Sequence, residues 1–123
     1  QAYDMAGVGP QDIDLCELHD CFSIASLIAA ENLGFAENGK AGELWEKGET
    51  KIGGKIPINI SGGLKAKGHP IGATGASQAC EVARQLRGDM ASEARQVEGA
   101  KIGLVDTLGG DGIISNLVLQ TNV

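Results

Sequence analysis

The stretch NISGGLKAKGHPIGATGASQ, Asn59 to Gln78, crowds glycine, one histidine and one proline between an apolar run and a helix-like pattern. Just upstream, KIPINI (Lys55 to Ile60) reads as a short strand. From about Thr74 onward, Ala76, Ala79, Cys80, Ala83 and Leu86 recur at helical intervals until Gly88, which ends the helix. A strand, a glycine-rich turn and a helix in succession form the repeating unit of an α/β layer, and the flanking sequence repeats that unit.

On the N-terminal side, Gln1 to Val8 reads as the tail of a helix: Ala2, Met5 and Ala6 have helical spacing, and Gly7, Gly9 and Pro10 stop it. A helix tail at residue 1 predicts that further sequence precedes it. Asp12 to His19 alternates and reads as a strand buried on at least one face. Ser23 is positioned to cap a helix running to about Leu33, closed by Gly34. Residues 35 to 55 are polar and glycine-rich, with GELWEKGE reading as a single helical turn. On the C-terminal side, Asp89 to Gly99 is a polar excursion. Lys101 to Thr107 and Ile113 to Gln120 then read as two strands of a hairpin joined by a turn of glycine and aspartate. The predicted order is strand, helix, strand, helix, strand, strand. It specifies an α/β domain with a mixed sheet, right-handed crossovers and an antiparallel pair at its end, spanning residues 1–123.

Charge narrows the partners. The formal net charge is −6 and the ten basic residues are scattered, so no basic patch exists to hold a nucleic-acid backbone. The longest uncharged apolar run, Phe22 to Ala30, is far short of a membrane span, and the chain reads as a cytosolic domain. Three cysteines, an odd number, fit reduced thiols better than a disulfide framework. Cys16, His19 and Cys21 lack the paired spacing of a structural zinc site, and strand alternation would send Cys16 and His19 to opposite faces, so no metal site is expected.

Three clusters carry chemistry-bearing residues. His69 sits between Gly68 and Pro70, ahead of the predicted helix start. Glycine lets the backbone pass close to another group, and a helix N-terminus favours a developing negative charge. The plain alternative is a tight turn with a solvated histidine. His19, Asp20 and Cys21 in ELHDCFS come directly off the first strand, where α/β folds present functional groups, and a parallel strand ending at Ile60 would bring His69 to the same edge. Two histidines and a thiol would then converge, as thiol chemistry requires. Alternatively Cys21 is a small buried hydrophobe and Asp20 caps the helix that follows. DTLGGDG, Asp106 to Gly112, is either a hairpin turn or a source of backbone N–H donors for a carbonyl oxygen.

HDCF, GGLKAKGHPIGATG and TLGGDG, in this order and with helices between them, resemble the C-terminal part of a thiolase, within that superfamily the sterol-carrier-protein-type and archaeal-type acetyl-CoA acetyltransferases. The resemblance covers about the whole chain. It implies that His69 activates a nucleophilic cysteine and lends its imidazole to one oxyanion hole. His19 stands where other thiolases have the asparagine that holds a water of that hole, which implies that His19 donates there directly. Cys21 matches the cysteine that this subgroup uses as acid and base in the Claisen step, and Gly110 is the backbone donor to the second hole. Other thiolases carry an acid/base cysteine in a C-x-G motif at the final turn. This chain has Thr107, Leu108 and Gly109 there, a loss consistent with Cys21 taking over.

The resemblance further implies a longer protein whose N-terminal and loop domains supply the nucleophile and most coenzyme A contacts. Coenzyme A thioesters are its substrates, with no further cofactor. It implies a homodimer or homotetramer at full length and, from archaeal-type relatives, assembly with a small protein containing a zinc ribbon and an OB-fold. The competing readings are a thiolase-like retro-aldolase and a non-catalytic scaffold in lipid metabolism working with such a partner.

Overall fold

A computed structural model describes residues 1–122. Helix α1, Ala2–Ala6, ends at Gly7 in the left-handed conformation, and the Tyr3 hydroxyl ties it to the body by donating to the Leu33 carbonyl at 2.7 Å. A single 3₁₀ turn, Pro10–Asp12, leads into strand β1, Leu15–Glu17, buried along its whole length. Helices α2 (Ser23–Asn32) and α3 (Ala41–Glu46) follow, then α4 (Gly63–Lys67) and the long α5 (Thr74–Arg87). Strands β2 (Ile102–Leu108) and β3 (Ile114–Gln120) close the chain.

The sheet has the order β1-β2-β3, with β1 and β2 parallel and β2 and β3 antiparallel in the expected hairpin. The α/β class, the mixed sheet and the terminal antiparallel pair agree with the sequence reading. Strand alternation divides the core in two. Cys16, Leu18 and Leu104 pack with Ala30, Leu33, Phe35 and Leu44 from the α2–α3 side, whereas Leu15 and Val105 pack with Val82 of α5 on the other face. Gly103 permits that second contact, because a Cβ there would collide with the Val82 side chain.

Four local expectations change. KIPINI is not a full strand: it contributes one parallel bridge, Ile58 to Cys16. Pro57 has no N–H, the Ile56 and Ile58 N–H groups donate to Glu49 and Thr50 carbonyls, and Asn59 turns left-handed at φ 52°, so the ladder stops. The first strand begins at Leu15 rather than Asp12, because the Asp14 side chain accepts from the Lys101 and Ile102 N–H groups. Ser23 is the first residue of α2, and Phe22 occupies the N-cap without a side-chain bond. Finally, the glycine-rich turn contains a helix of its own, α4, which sequence periodicity over five residues cannot reveal.

Candidate active site

The parallel pairing of β1 with β2 decides where the chemistry-bearing loops lie. Both strands end at one edge of the sheet, so the loop after β1, carrying His19 and Cys21, and the hairpin turn after β2, carrying Gly110, emerge there together. His69 arrives at the same edge from the segment between α4 and α5. Its ring meets that of His19 edge to face, with centroids 4.8 Å apart and planes at 80°. The convergence expected for two histidines is therefore present.

His69 is exposed, and its orientation is set locally. Its Nδ1 lies 2.7 Å from the Oγ1 of Thr74, the first residue of α5, and that hydroxyl donates its proton to the Pro70 carbonyl at 3.1 Å. Thr74 has one hydroxyl proton, so its oxygen accepts the N–H of Nδ1. In the neutral ring Nε2 is then left as the basic nitrogen, the state a general base needs. Gly75, one residue on, lets α5 approach β2: a Cβ there would lie 3.3 Å from Thr107 Cγ2. Thr107 directs its hydroxyl to Gln78 Oε1 at 2.7 Å.

His19 is buried, with 5% of its surface exposed. Its backbone N–H donates to the Asp106 carboxylate. Among the described residues its Nδ1 is the one buried side-chain nitrogen or oxygen without a hydrogen-bond partner. Burial lowers its pKa below the usual histidine value, with His69 adding to the effect and Asp106 and Asp20 opposing it. A neutral His19 offers an N–H donor without placing a second charge against His69. Cys21 is half-buried two residues further on, ahead of α2. Gly110 is exposed in the hairpin turn. The turn is closed by the Gly109 N–H donating to Ile113 at 2.8 Å and the Gly112 N–H donating to Gly109 at 3.0 Å, neither of which engages the Gly110 N–H.

Several contributing residues carried no local signal. Asp20 does not cap α2: its Oδ1 accepts from the Leu64 N–H at 2.8 Å, joining the HDCF loop to the start of α4. Gly63 is required beside it, since its φ is +65° and a Cβ would run into the Asp20 carboxylate. Asn59 accepts from the Leu18 N–H at 2.8 Å, continuing with its side chain what the strand backbone would have done. Cys16 is fully buried and its thiol is pushed well above the ordinary cysteine value by that burial, so it is an inert core residue. No cluster of metal-ligating side chains occurs among the described residues, and no helix among them is long and apolar enough to cross a membrane.

Asp106 lies behind His19, 7% exposed, and accepts from Asn116 Nδ2 across the β2–β3 ladder at 2.7 Å. It borders a cleft of about 290 Å³ walled by Ile28, Leu33, Leu108 and Ile114. Burial raises its pKa above the ordinary 3.8, against the lowering effect of the Asn116 and His19 bonds. A carboxyl with a raised folded pKa is relatively stabilised when protonated, and that contribution is lost as pH rises through the folded value. Asp106→Asn should therefore gain unfolding free energy relative to the parent as pH rises from about 4 to about 7. Denaturant unfolding at both pH values measures the difference. A constant difference would mean that Asp106 titrates normally.

Residues 1–119 match the family model described as "Thiolase C-terminal domain-like". The chain is 57% identical over 111 residues to an acetyl-CoA acetyltransferase of Methanothermobacter thermautotrophicus, covering 90% of this chain and 28% of that protein. It is 48% identical over 112 residues to sterol carrier protein 2 of Rattus norvegicus, covering 91% of this chain and 20% of that protein. Among solved structures, a chain described as "Ltp2-ChsH2(DUF35) aldolase" matches with a TM-score of 0.82 and 27% identity, over 99% of this chain and 30% of that one. The chain thus spans less than a third of each of these proteins.

Proposed function

The chain belongs to the thiolase C-terminal domain-like family, and on that premise we propose that it is the C-terminal part of an acyltransferase that moves acyl groups between coenzyme A thioesters. The observation that carries this reading is the meeting of His69 and His19 at the sheet edge, with Nδ1 of His69 engaged by Thr74 and Nε2 left for proton transfer. Relatives named acetyl-CoA acetyltransferase support the substrate class.

In the proposed mechanism, Nε2 of His69 takes the proton of a cysteine thiol supplied by another part of the protein. The thiolate attacks the thioester carbonyl and expels coenzyme A as its thiolate, which leaves as the thiol after protonation. The imidazole N–H formed on His69 and the N–H of His19 receive the carbonyl oxygen as it becomes negative. In the second half-reaction, the thiol proton of Cys21 passes to Nε2 of His69, from which the departing nucleophilic cysteine later recovers it, and Cys21 as thiolate removes a proton from C2 of a second acetyl thioester. The resulting carbanion attacks the acyl-enzyme carbonyl, with the Gly110 N–H as a donor at the opposite side, and the nucleophilic cysteine leaves. Thiolysis is the same path reversed. Large apolar side chains flank all three motifs in exposed positions, Phe22 beside Cys21, Ile71 after Pro70 and Ile113 in the hairpin, which suits a site over which further protein closes. Full length, the protein is proposed to be cytoplasmic and to work as a homodimer or homotetramer, with an OB-fold and zinc-ribbon protein as an additional partner.

The structural match to an aldolase favours a second reading, retro-aldol cleavage of a 3-hydroxyacyl thioester. The full-length protein carrying this chain, given acetoacetyl-CoA and coenzyme A, should consume both with ping-pong kinetics, and residues 1–123 alone should show no turnover. Cleavage of a 3-hydroxyacyl thioester without uptake of coenzyme A, and no reaction with acetoacetyl-CoA, would replace the transferase reading with the aldolase one.

A further inference from the structure

Glu17 is the one acidic residue buried in the strand that leads to His19, with 1% of its surface exposed. Burying a carboxylate is costly unless its partners repay the lost hydration, so what it holds is informative. Its Oε1 accepts the Ser61 N–H at 3.0 Å, and its Oε2 accepts the Ser61 hydroxyl at 2.6 Å and the Lys67 ammonium at 3.3 Å. Ser61 in turn accepts the N–H of Gly63, the first residue of α4, at 3.2 Å. Lys67 is the last residue of α4, and Gly68, at φ 81°, turns the chain directly into His69.

A single carboxylate therefore grips both ends of α4. This helix has five residues, too few to hold its shape unaided. His19 follows the carboxylate by two residues, in the loop leaving that strand. We propose that Glu17 is a positioning residue: by clamping Ser61 and Lys67 from the end of β1, it sets His69 against His19, and its charge is required because Lys67 fixes the exit of α4. Glutamine at this position keeps an acceptor for Ser61 but loses the ionic hold on Lys67. The Lys67 side chain is 25% exposed, withdrawn enough from solvent that screening leaves much of its attraction to the carboxylate intact.

The catalytic arm of the test rests on the acyltransferase reading; the exchange arm does not. In the full-length protein, Glu17→Gln and Lys67→Met should each slow single-turnover acylation, corrected for the fraction of labelled sites, by on the order of 10-fold to 10²-fold, as expected for a small misplacement of a reacting group. KM should stay within about twofold, since neither residue is placed against coenzyme A. The double variant should lose no more than the worse single one, because both remove one clamp, and Lys67→Arg should restore most of the rate. Hydrogen exchange should rise in residues 62–69 of both variants and stay unchanged in residues 75–87 of α5. A residue that only stabilised the fold would reduce the fraction of active sites and leave the rate per site alone. Unchanged rates per site, or multiplicative losses in the double variant, would overturn the proposal. If Glu17→Gln does not fold, the exposed Lys67→Met carries the same comparison. If the parent forms no acyl-enzyme, the transferase reading fails, and Glu17 is judged on exchange: unchanged protection of residues 62–69 overturns its positioning role, and loss confined to that segment sustains it.

Discussion

Replacing His69 with asparagine in the full-length protein is expected to reduce single-turnover acylation by about 10⁴-fold or more. The substitution removes two contributions at once: a general base, typically worth 10²–10⁴, and an oxyanion donor, typically worth about 10²–10³. Both half-reactions should fail, because the same imidazole serves each. Stability should change by less than about 1 kcal/mol, since the side chain is exposed and asparagine tolerates turn conformations. The measurement is acyl-enzyme formation from radiolabelled acetyl-CoA alongside the thermal midpoint. Lost acylation at an unchanged midpoint supports the assignment. Normal acylation by a normally stable variant would show that His69 only shapes the turn between α4 and α5.

Cys21→Ala should separate the half-reactions. Acylation depends on His69 and should persist, whereas condensation or thiolysis should slow by roughly 10²–10⁴, the range for losing a positioned acid/base. The expectation follows from Cys21 emerging at the same sheet edge as the two histidines, while Thr107 presents a hydroxyl bonded to Gln78 rather than a thiol. Trapping labelled acyl-enzyme in the variant, together with a slow overall rate, would place the defect in the second step. Near-normal turnover would reduce Cys21 to a half-buried packing residue ahead of α2.

Helices α2 and α5 and the β2–β3 hairpin were legible because each is specified within its own residues. Ala79 and Leu86 of the helical pattern pack on the core beside Val82, although Ala76 and Cys80 of that pattern are exposed; Gly88 turns left-handed at the helix end, and the two hairpin strands flank a short glycine and aspartate turn. The His19 and His69 motifs were legible too, since they rest on residue types and order alone. The reduction of KIPINI to one bridge was not. Its pattern is apolar enough for a strand, and the interruption comes from hydrogen bonds that Ile56 and Ile58 make to a loop outside it.

The residues that orient the candidate site were hidden for the same reason. Asp20 reaches Leu64, Glu17 reaches Ser61 and Lys67, and Asn59 reaches Leu18, each across 41 or more positions. By itself the sequence determined the α/β class, the helices and hairpin that local periodicity and turn chemistry specify, and which side chains are equipped for thiol and carbonyl chemistry. Only the tertiary structure decided that α4 exists, that Asp20 caps it rather than the adjacent helix, and that His69 meets His19 ring to ring. Such bonds depend on where parallel strands end and how closely a helix can approach them at Gly63, Gly75 and Gly103. Local patterns encode the elements, and the hydrogen bonds that set one loop against another form only when the packed sheet brings distant segments to one edge.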